Sequence, residues 1–188
     1  MRRSALVELY SPGIVLFDPV MLAKFLKDWS VADSNIFNAF LQDENLGRQA
    51  IEQGVVCPIY QISENEYAVF VESGGELAGG LPEPAFVHSG LPLRIASGIM
   101  IVSDLNALLN WDECFFLNYK SEYNSRLPNN DYIDIHPGVY SLSVKGYKNL
   151  GGYGSDFGYG LDFTSVQTLP RVGSDVSVSN LDFELVAR

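Results

Sequence analysis

Residues 11–26 read SPGIVLFDPVMLAKFL, and residues 96–111 read ASGIMIVSDLNALLNW. Each stretch runs from a small turn through a short apolar run to an aspartate, and then into an apolar helical pattern. Asp18 and Asp104 stand 86 residues apart, as do Leu22 and Leu108, and Phe25 and Trp111. Gly13 and Gly98 are 85 apart, which predicts one extra residue in the second copy and a β-bulge to absorb it. Gly13 is expected to hold a turn conformation closed to other residues. Ile14 to Phe17 has the length of a buried strand. Asp18 is placed to accept hydrogen bonds from the first free N–H groups of a helix, with Pro19 suited to its first position. Met21, Leu22, Phe25 and Leu26 then form the packing stripe. In the second stretch Asp104 is the cap, and Leu105, Leu108, Leu109 and Trp111 supply the apolar face.

A second pair of blocks extends the pattern. GVVCPIYQI at 54–62 matches GVYSLSVKGY at 138–147, and each is followed by another strand candidate, YAVFVE at 67–72 and YGLDFT at 159–164. The second copy then carries an insertion, NLGGYGSDFG at 149–158. Residues 33–53 read as helix, with Ile36, Phe37, Phe40 and Leu41 on one stripe, Asp33 or Ser34 as cap and Gly54 as the stop. Residues 73–93 are rich in Gly and Pro and read as an ordered connection. The end, DVSVSNLDFELVAR, alternates as a half-buried strand does, with Val176 and Val178, then Phe183 and Leu185, as its apolar positions. The fold class is therefore α+β and β-rich: two related halves, antiparallel sheets and short packed helices. The halves span 1–80 and 93–188, joined through 81–92, and can merge into one compact domain.

Charge is distributed unevenly. The 188 residues carry a net charge of −11. Between Lys27 and Arg94 there are ten acidic residues and one base, Arg48, so this third of the chain holds −9. Such a field attracts basic partners and repels nucleic acid. No apolar run reaches the roughly 18 residues of a membrane span, and no secretory leader is legible, so a cytoplasmic location is expected. Cys57 and Cys114 both sit in apolar stretches and read as buried, reduced thiols.

Residues able to carry chemistry are few. On a strand, Tyr132, Asp134 and His136 share a face, but two ligands do not make a metal site. His88 beside Ser89 lacks the setting of a nucleophilic serine. Asp43–Glu44 and Asp112–Glu113 read as solvated carboxylates. GGYGSDFGYG at 151–160 lacks the strand-to-helix context and the lysine of a phosphate loop, and reads as a hairpin tip with Tyr153, Phe157 and Tyr159 exposed. No cofactor and no metal are expected. The candidate partner-binding residues are Asp43, Glu44, Glu64, Glu66, Glu72 and Glu76, with Tyr153, Phe157 and Tyr159.

SGIMIVSD and HPGVYSLSV resemble elements of small acidic bacterial proteins, many of them regarded as immunity proteins of polymorphic toxin systems, including contact-dependent and type VI secretion. The resemblance covers about a third of the chain. It implies a cytoplasmic, non-catalytic protein without cofactor, monomeric or homodimeric, that neutralises a basic toxin domain. It transfers no binding residues. The alternative that the residues leave open is a ligand-binding or enzymatic β-rich domain with a cleft between the halves, with Tyr132, Asp134 and His136 as first candidates.

Overall fold

A computed structural model describes residues 1–72, 80–122, 127–151, 153–172 and 181–186. The first half lays down β1 (Ser4–Glu8), β2 (Gly13–Phe17), α1 (Pro19–Asp28), α2 (Ile36–Gln42), α3 (Glu44–Glu52), β3 (Val56–Tyr60) and β4 (Glu66–Val71). The second lays down β5 (Phe86–Ile95), β6 (Ile99–Asp104), α4 (Asn106–Leu109), α5 (Glu113–Leu117), α6 (Tyr119–Glu122), β7 (Asn130–Asp134) and β8 (Gly138–Lys148), and adds β9 (Phe157–Ser165). Strand β5 begins within the stretch expected to be connection. The expected terminal strand is not formed over 181–186, and Val176 and Val178 lie outside the described residues.

The strands form two sheets, ordered β3-β2-β6-β7 and β1-β4-β9-β8-β5. All pairs are antiparallel except β4 with β9. The α+β class is as the sequence predicts. Apolar side chains from both sheets, among them Val7, Ile14, Leu16, Val69, Leu93, Val102 and Leu161, fill the space between them. The helices cover the other face of the four-stranded sheet, packing Leu22, Phe25, Leu26 and Ile36 against Val15, Phe17 and Ile101. Strands β2 and β6, at the centre of the four-stranded sheet, are buried on both faces, which is why Ile14–Phe17 reads as an unbroken apolar run.

The order of elements makes the two halves topological equivalents. Both sheet orders read symmetrically about the β2/β6 pair and about β9. Leu16 faces Val102 in the β2/β6 ladder, and these two are 86 residues apart, so the symmetry axis passes between them. Two details of the sequence reading are corrected. The β2/β6 register shows no bulge: Ser11 is the equivalent of Ser97, and Gly98, at φ +85, stands where the first half has Pro12. The topological equivalent of β3 is β7, and that of β4 is β8, so 54–62 does not correspond to 138–147, nor 67–72 to 159–164. Short apolar strands after a glycine look alike whichever sheet they enter.

Symmetry is repeated in the buried aspartates. Asp18 caps α1 through Oδ1, which accepts from Val20 N at 2.8 Å and Met21 N at 2.9 Å. Its Oδ2 accepts from Ala96 N, Ser97 N and Ser97 Oγ, at 2.7, 2.6 and 2.7 Å. Asp104 accepts from Asn106 N at 2.6 Å and Ser11 Oγ at 2.5 Å, and from Tyr10 N. Each half thus grips the turn of the other with a fully buried carboxylate. Asp18 is the cap of α1, whereas the cap expected at Asp104 is corrected: Leu105 takes the N-cap position of α4 without a side-chain bond, and Asp104 reaches only Asn106 N of that helix. Gly13 serves close approach instead of a special turn: a Cβ there would lie 2.8 Å from Leu105 Cδ1 and 2.9 Å from the Ile59 carbonyl oxygen. The helix at 33–53 is broken at Asp43, and its cap is Asn35, whose side chain accepts from Asn38 N at 2.9 Å, in place of Asp33 or Ser34.

Candidate functional site: an apolar groove at the acidic helices

Asp43 ends α2 and starts α3. Its extended backbone breaks the helix, and its Oδ1 accepts from Asn45 N at 3.0 Å and Leu46 N at 3.1 Å. The two helices fold back tightly because residue 47 is glycine; a Cβ there would stand 3.1 Å from the Phe40 carbonyl oxygen. Between this helical pair and the sheet lies a groove of about 240 Å³. Its floor is Val15, Val56 and Pro58, and Phe37, Phe40 and Ile51 wall it. Leu105 and Leu108 close it from the second half. Leu41 stands at its mouth, 64% exposed. The lining is almost wholly apolar, so what the groove offers is desolvation of an apolar group.

Acidic residues neighbour the groove-lining residues in the chain. Asp43 and Glu44 are exposed, between the lining residues Leu41 and Gly47 in the chain. Glu52 follows Ile51 and pairs at 3.9 Å with Arg48, the single base of this region. Among the described residues no lysine or arginine pairs with Asp33, Asp43, Glu44 or Glu64. Strand β3 is an edge of its sheet, and Pro58 at its centre has no N–H to offer, which disfavours addition of a further strand.

The remaining predicted residues fall elsewhere. Glu64 is exposed in the β3–β4 turn. Glu66 and Phe157 meet at a separate polar hollow of about 440 Å³, with Ser155 and Asp156. Glu72 is held internally, accepting from Lys145 Nζ and from Tyr147 Oη at 2.6 Å. Burial, then the Glu72 carboxylate, pushes the Tyr147 hydroxyl pKa up. Tyr153 stacks on Phe70 at 4.9 Å, half-buried on the outer face of the five-stranded sheet. Glu76 lies outside the described residues.

The expected exposure of Tyr159 is corrected. Its ring is fully buried between the sheets, and its hydroxyl donates to the Phe183 carbonyl at 3.0 Å. Alternate residues share a strand face, so Phe157, Tyr159 and Leu161 all turn inward. Cys114 is also corrected, being exposed: on the short α5 it points away from Phe116, which is buried. Cys57 is buried as expected, and burial pushes its thiol up to about 12.

The Tyr132, Asp134 and His136 grouping is structural. Tyr132 is buried beneath the Arg2 guanidinium, 4.9 Å from its centroid, and the Lys120 ammonium, at 5.7 Å. Asp134 accepts from Lys120 Nζ and Arg2 N, both at 2.6 Å. Burial opposes its charge, but these two donors more than offset it, and its pKa is lowered. His136 is exposed beyond the strand end, and its carbonyl accepts from Tyr140 Oη at 2.7 Å. His88 stacks on Phe86 and its Nε2 lies 2.7 Å from the Asp182 carbonyl, pinning residues 181–186. Among the described residues no three His, Cys, Asp or Glu side chains are grouped to hold a metal, and no helix is long and apolar enough to cross a membrane.

Sequence reasoning therefore reached the acids beside the groove but missed its walls. The sequence pattern places Phe37, Phe40 and Leu41 on one stripe with Ile36, yet only Ile36 of α2 is buried. The available signal was excess: four large apolar residues in six positions are more than one helix face packs inward.

No family model matches the chain, and no curated protein matches it. Two solved structures align with it. One is ComJ from Bacillus subtilis, inhibitor of the DNA degrading activity of NucA, at 10% identity over 87% of this chain and 96% of that one, with a TM-score of 0.45. The other is Crocagin biosynthetic gene J, at 12% identity over 86% of this chain and 96% of that one, with a TM-score of 0.44.

Proposed function

We propose that this is a non-catalytic binding protein that neutralises a cognate bacterial toxin in the cytoplasm, laying its acidic face over a basic active site. The carrying observation is the charge asymmetry: between Lys27 and Arg94 the chain holds −9 of its −11. Exposed Asp33, Asp43, Glu44 and Glu64 are left without a basic partner among the described residues. Carboxylates arranged so accelerate encounter with a basic surface, while desolvated apolar contacts set the lifetime of the complex. The toxins that fit are those exchanged between bacteria by contact-dependent or type VI delivery, which reach the cytoplasm where such an inhibitor would act.

The alternative of a small-ligand cleft between the halves has two places to stand, the polar hollow of about 440 Å³ between Glu66 and residues 155–157 and this groove, which Leu105 and Leu108 reach from the second half. The groove's volume of about 240 Å³ falls below the ~300–1,000 Å³ usual for small-molecule sites, and no cluster of polar groups converges in it. It is sized for a side chain.

Co-expression with the toxin encoded beside this gene tests the proposal. Restored growth and a complex that co-elutes on gel filtration are expected. Absence of both rescue and complex would overturn it.

A further inference from the structure

We infer that the groove between α2, α3 and β3 receives an aromatic side chain flanked by basic residues, presented by the partner protein; this rests on the partner being a basic protein, as proposed above. The two halves themselves supply the argument. Val15 pairs with Pro58 in the β2/β3 ladder, and Ile101, the equivalent of Val15 at 86 residues on, pairs with Tyr132 in the β6/β7 ladder. Pro58 and Tyr132 are thus topological equivalents, and both lie on the helix-covered face of the sheet.

What stands at this place differs between the halves. In the second, the Tyr132 ring fills it, packed edge-on against buried Tyr119 at 6.1 Å. Two cations, Arg2 and Lys120, lie over that ring, and Asp131 and Asp134 hold them by ion pairs at 2.6 Å. In the first half the equivalent residue is a proline, and the groove beside it stays open, lined by the rings of Phe37, Phe40 and Tyr60. Asp43, Glu44 and Glu52 neighbour the groove-lining residues Leu41, Gly47 and Ile51 in the chain, as Asp131 and Asp134 neighbour Tyr132.

The second half therefore displays, within one chain, the kind of occupant the first half lacks: an aromatic ring with ammonium or guanidinium groups beside it, answered by carboxylates. Charge complementarity agrees, since the groove lies in the most acidic third of the sequence. Volume agrees as well, because one aromatic side chain fits a space too small for most metabolites. Pro58 on the open edge leaves insertion of a side chain, instead of addition of a strand, as the mode of docking.

Three blocked pentapeptides serve as probes: Lys-Lys-Tyr-Lys-Lys, Lys-Lys-Ala-Lys-Lys and Gly-Gly-Tyr-Gly-Gly. Each is titrated at low salt against isotope-labelled protein and followed by NMR. The first is expected to shift resonances of Phe40, Leu41, Ile51 and Leu108, and to bind about tenfold more tightly than either control. Pro58→Tyr, which puts the second half's own residue at the groove floor, and Leu41→Glu, at an exposed position, should each abolish that preference. The inference is overturned by equal binding of the alanine peptide, by shifts confined to other surfaces, by no binding at millimolar concentration, or by an unaltered preference in a folded Leu41→Glu variant. The two readings separate cleanly. A toxin complex formed equally well by Leu41→Glu removes the groove but keeps the inhibitor. Aromatic binding in the groove without toxin rescue removes the inhibitor but keeps the groove.

Discussion

Replacing Asp18 by alanine removes a carboxylate that joins the two halves, and the loss can be worked from its contacts. Oδ1 caps α1, worth about 1 kcal/mol. Oδ2 accepts three hydrogen bonds from Ala96 and Ser97, and bonds to a charged acceptor contribute ~1.5–3 kcal/mol each when counted singly. They share one oxygen, and removing a buried charge returns part of its desolvation cost, so the sum is well below additive. We expect a net destabilisation of about 4 kcal/mol, or roughly 12 °C in midpoint for a chain of this length. Urea unfolding followed by the fluorescence of Trp29 and Trp111 reads it directly. Asp104→Ala should cost a similar amount through Tyr10, Ser11 and Asn106. The two carboxylates cap opposite ends of the β2/β6 pair, four strand positions or roughly 13 Å apart, so the double variant should be additive within ~0.5 kcal/mol. A loss below ~1 kcal/mol for Asp18→Ala, the figure for an ordinary exposed cap, would refute the reciprocal grip.

Gly13→Ala should destabilise by about 1–3 kcal/mol in the same assay, because the Ile59 carbonyl at 2.9 Å cannot move aside as the Leu105 side chain can. An aromatic disulfide reagent at neutral pH should label Cys114 in the native protein and Cys57 only after unfolding, read as one thiol and then two. Against the opposing effect of burial, the Lys120 ammonium and the Arg2 amide hold the folded Asp134 carboxyl below the usual aspartate pKa. Its contribution is therefore present above that value and is lost as pH falls through the lower folded one. Lys120→Met should move the acid unfolding midpoint to higher pH, and an unchanged midpoint in an acid titration by circular dichroism would contradict the role given to the ion pair.

The repeated strand–aspartate–helix blocks were legible because both consequences of burial are written locally. An apolar run of four marks a strand covered on both faces, and at Asp18 an aspartate before a helix marks a cap. What those aspartates do across the halves was not legible. The partners of Asp18 lie at Ala96 and Ser97, and only the packed sheet brings them together. Glycine alignment misled at Gly13 and Gly98 because the two serve different ends, close approach to Leu105 in one and positive φ in the other. Tyr159 looked like a surface tyrosine because its glycine-rich neighbourhood reads as a loop. In the fold Gly158 and Gly160 let the strands beside it approach: a Cβ on Gly158 would lie 2.4 Å from the Ala68 carbonyl oxygen. The acidic character of 28–83 was plain from composition. The groove within it needed the helical pair, the small residue at Gly47 and the missing ring at Pro58 to be seen together.

The most direct measurement is the association rate and affinity of this protein for the toxin encoded beside its gene, compared between two charge-neutralised variants. One converts Asp33, Asp43, Glu44 and Glu64 to their amides; the other converts Asp112, Glu122, Asp156 and Asp182, also exposed and equal in number. The first set should slow association by about tenfold at low salt, with the difference fading as salt is raised, while the second set has little effect. Equal effects from the two sets, or a rate indifferent to both, would contradict the assignment of recognition to the acidic first half.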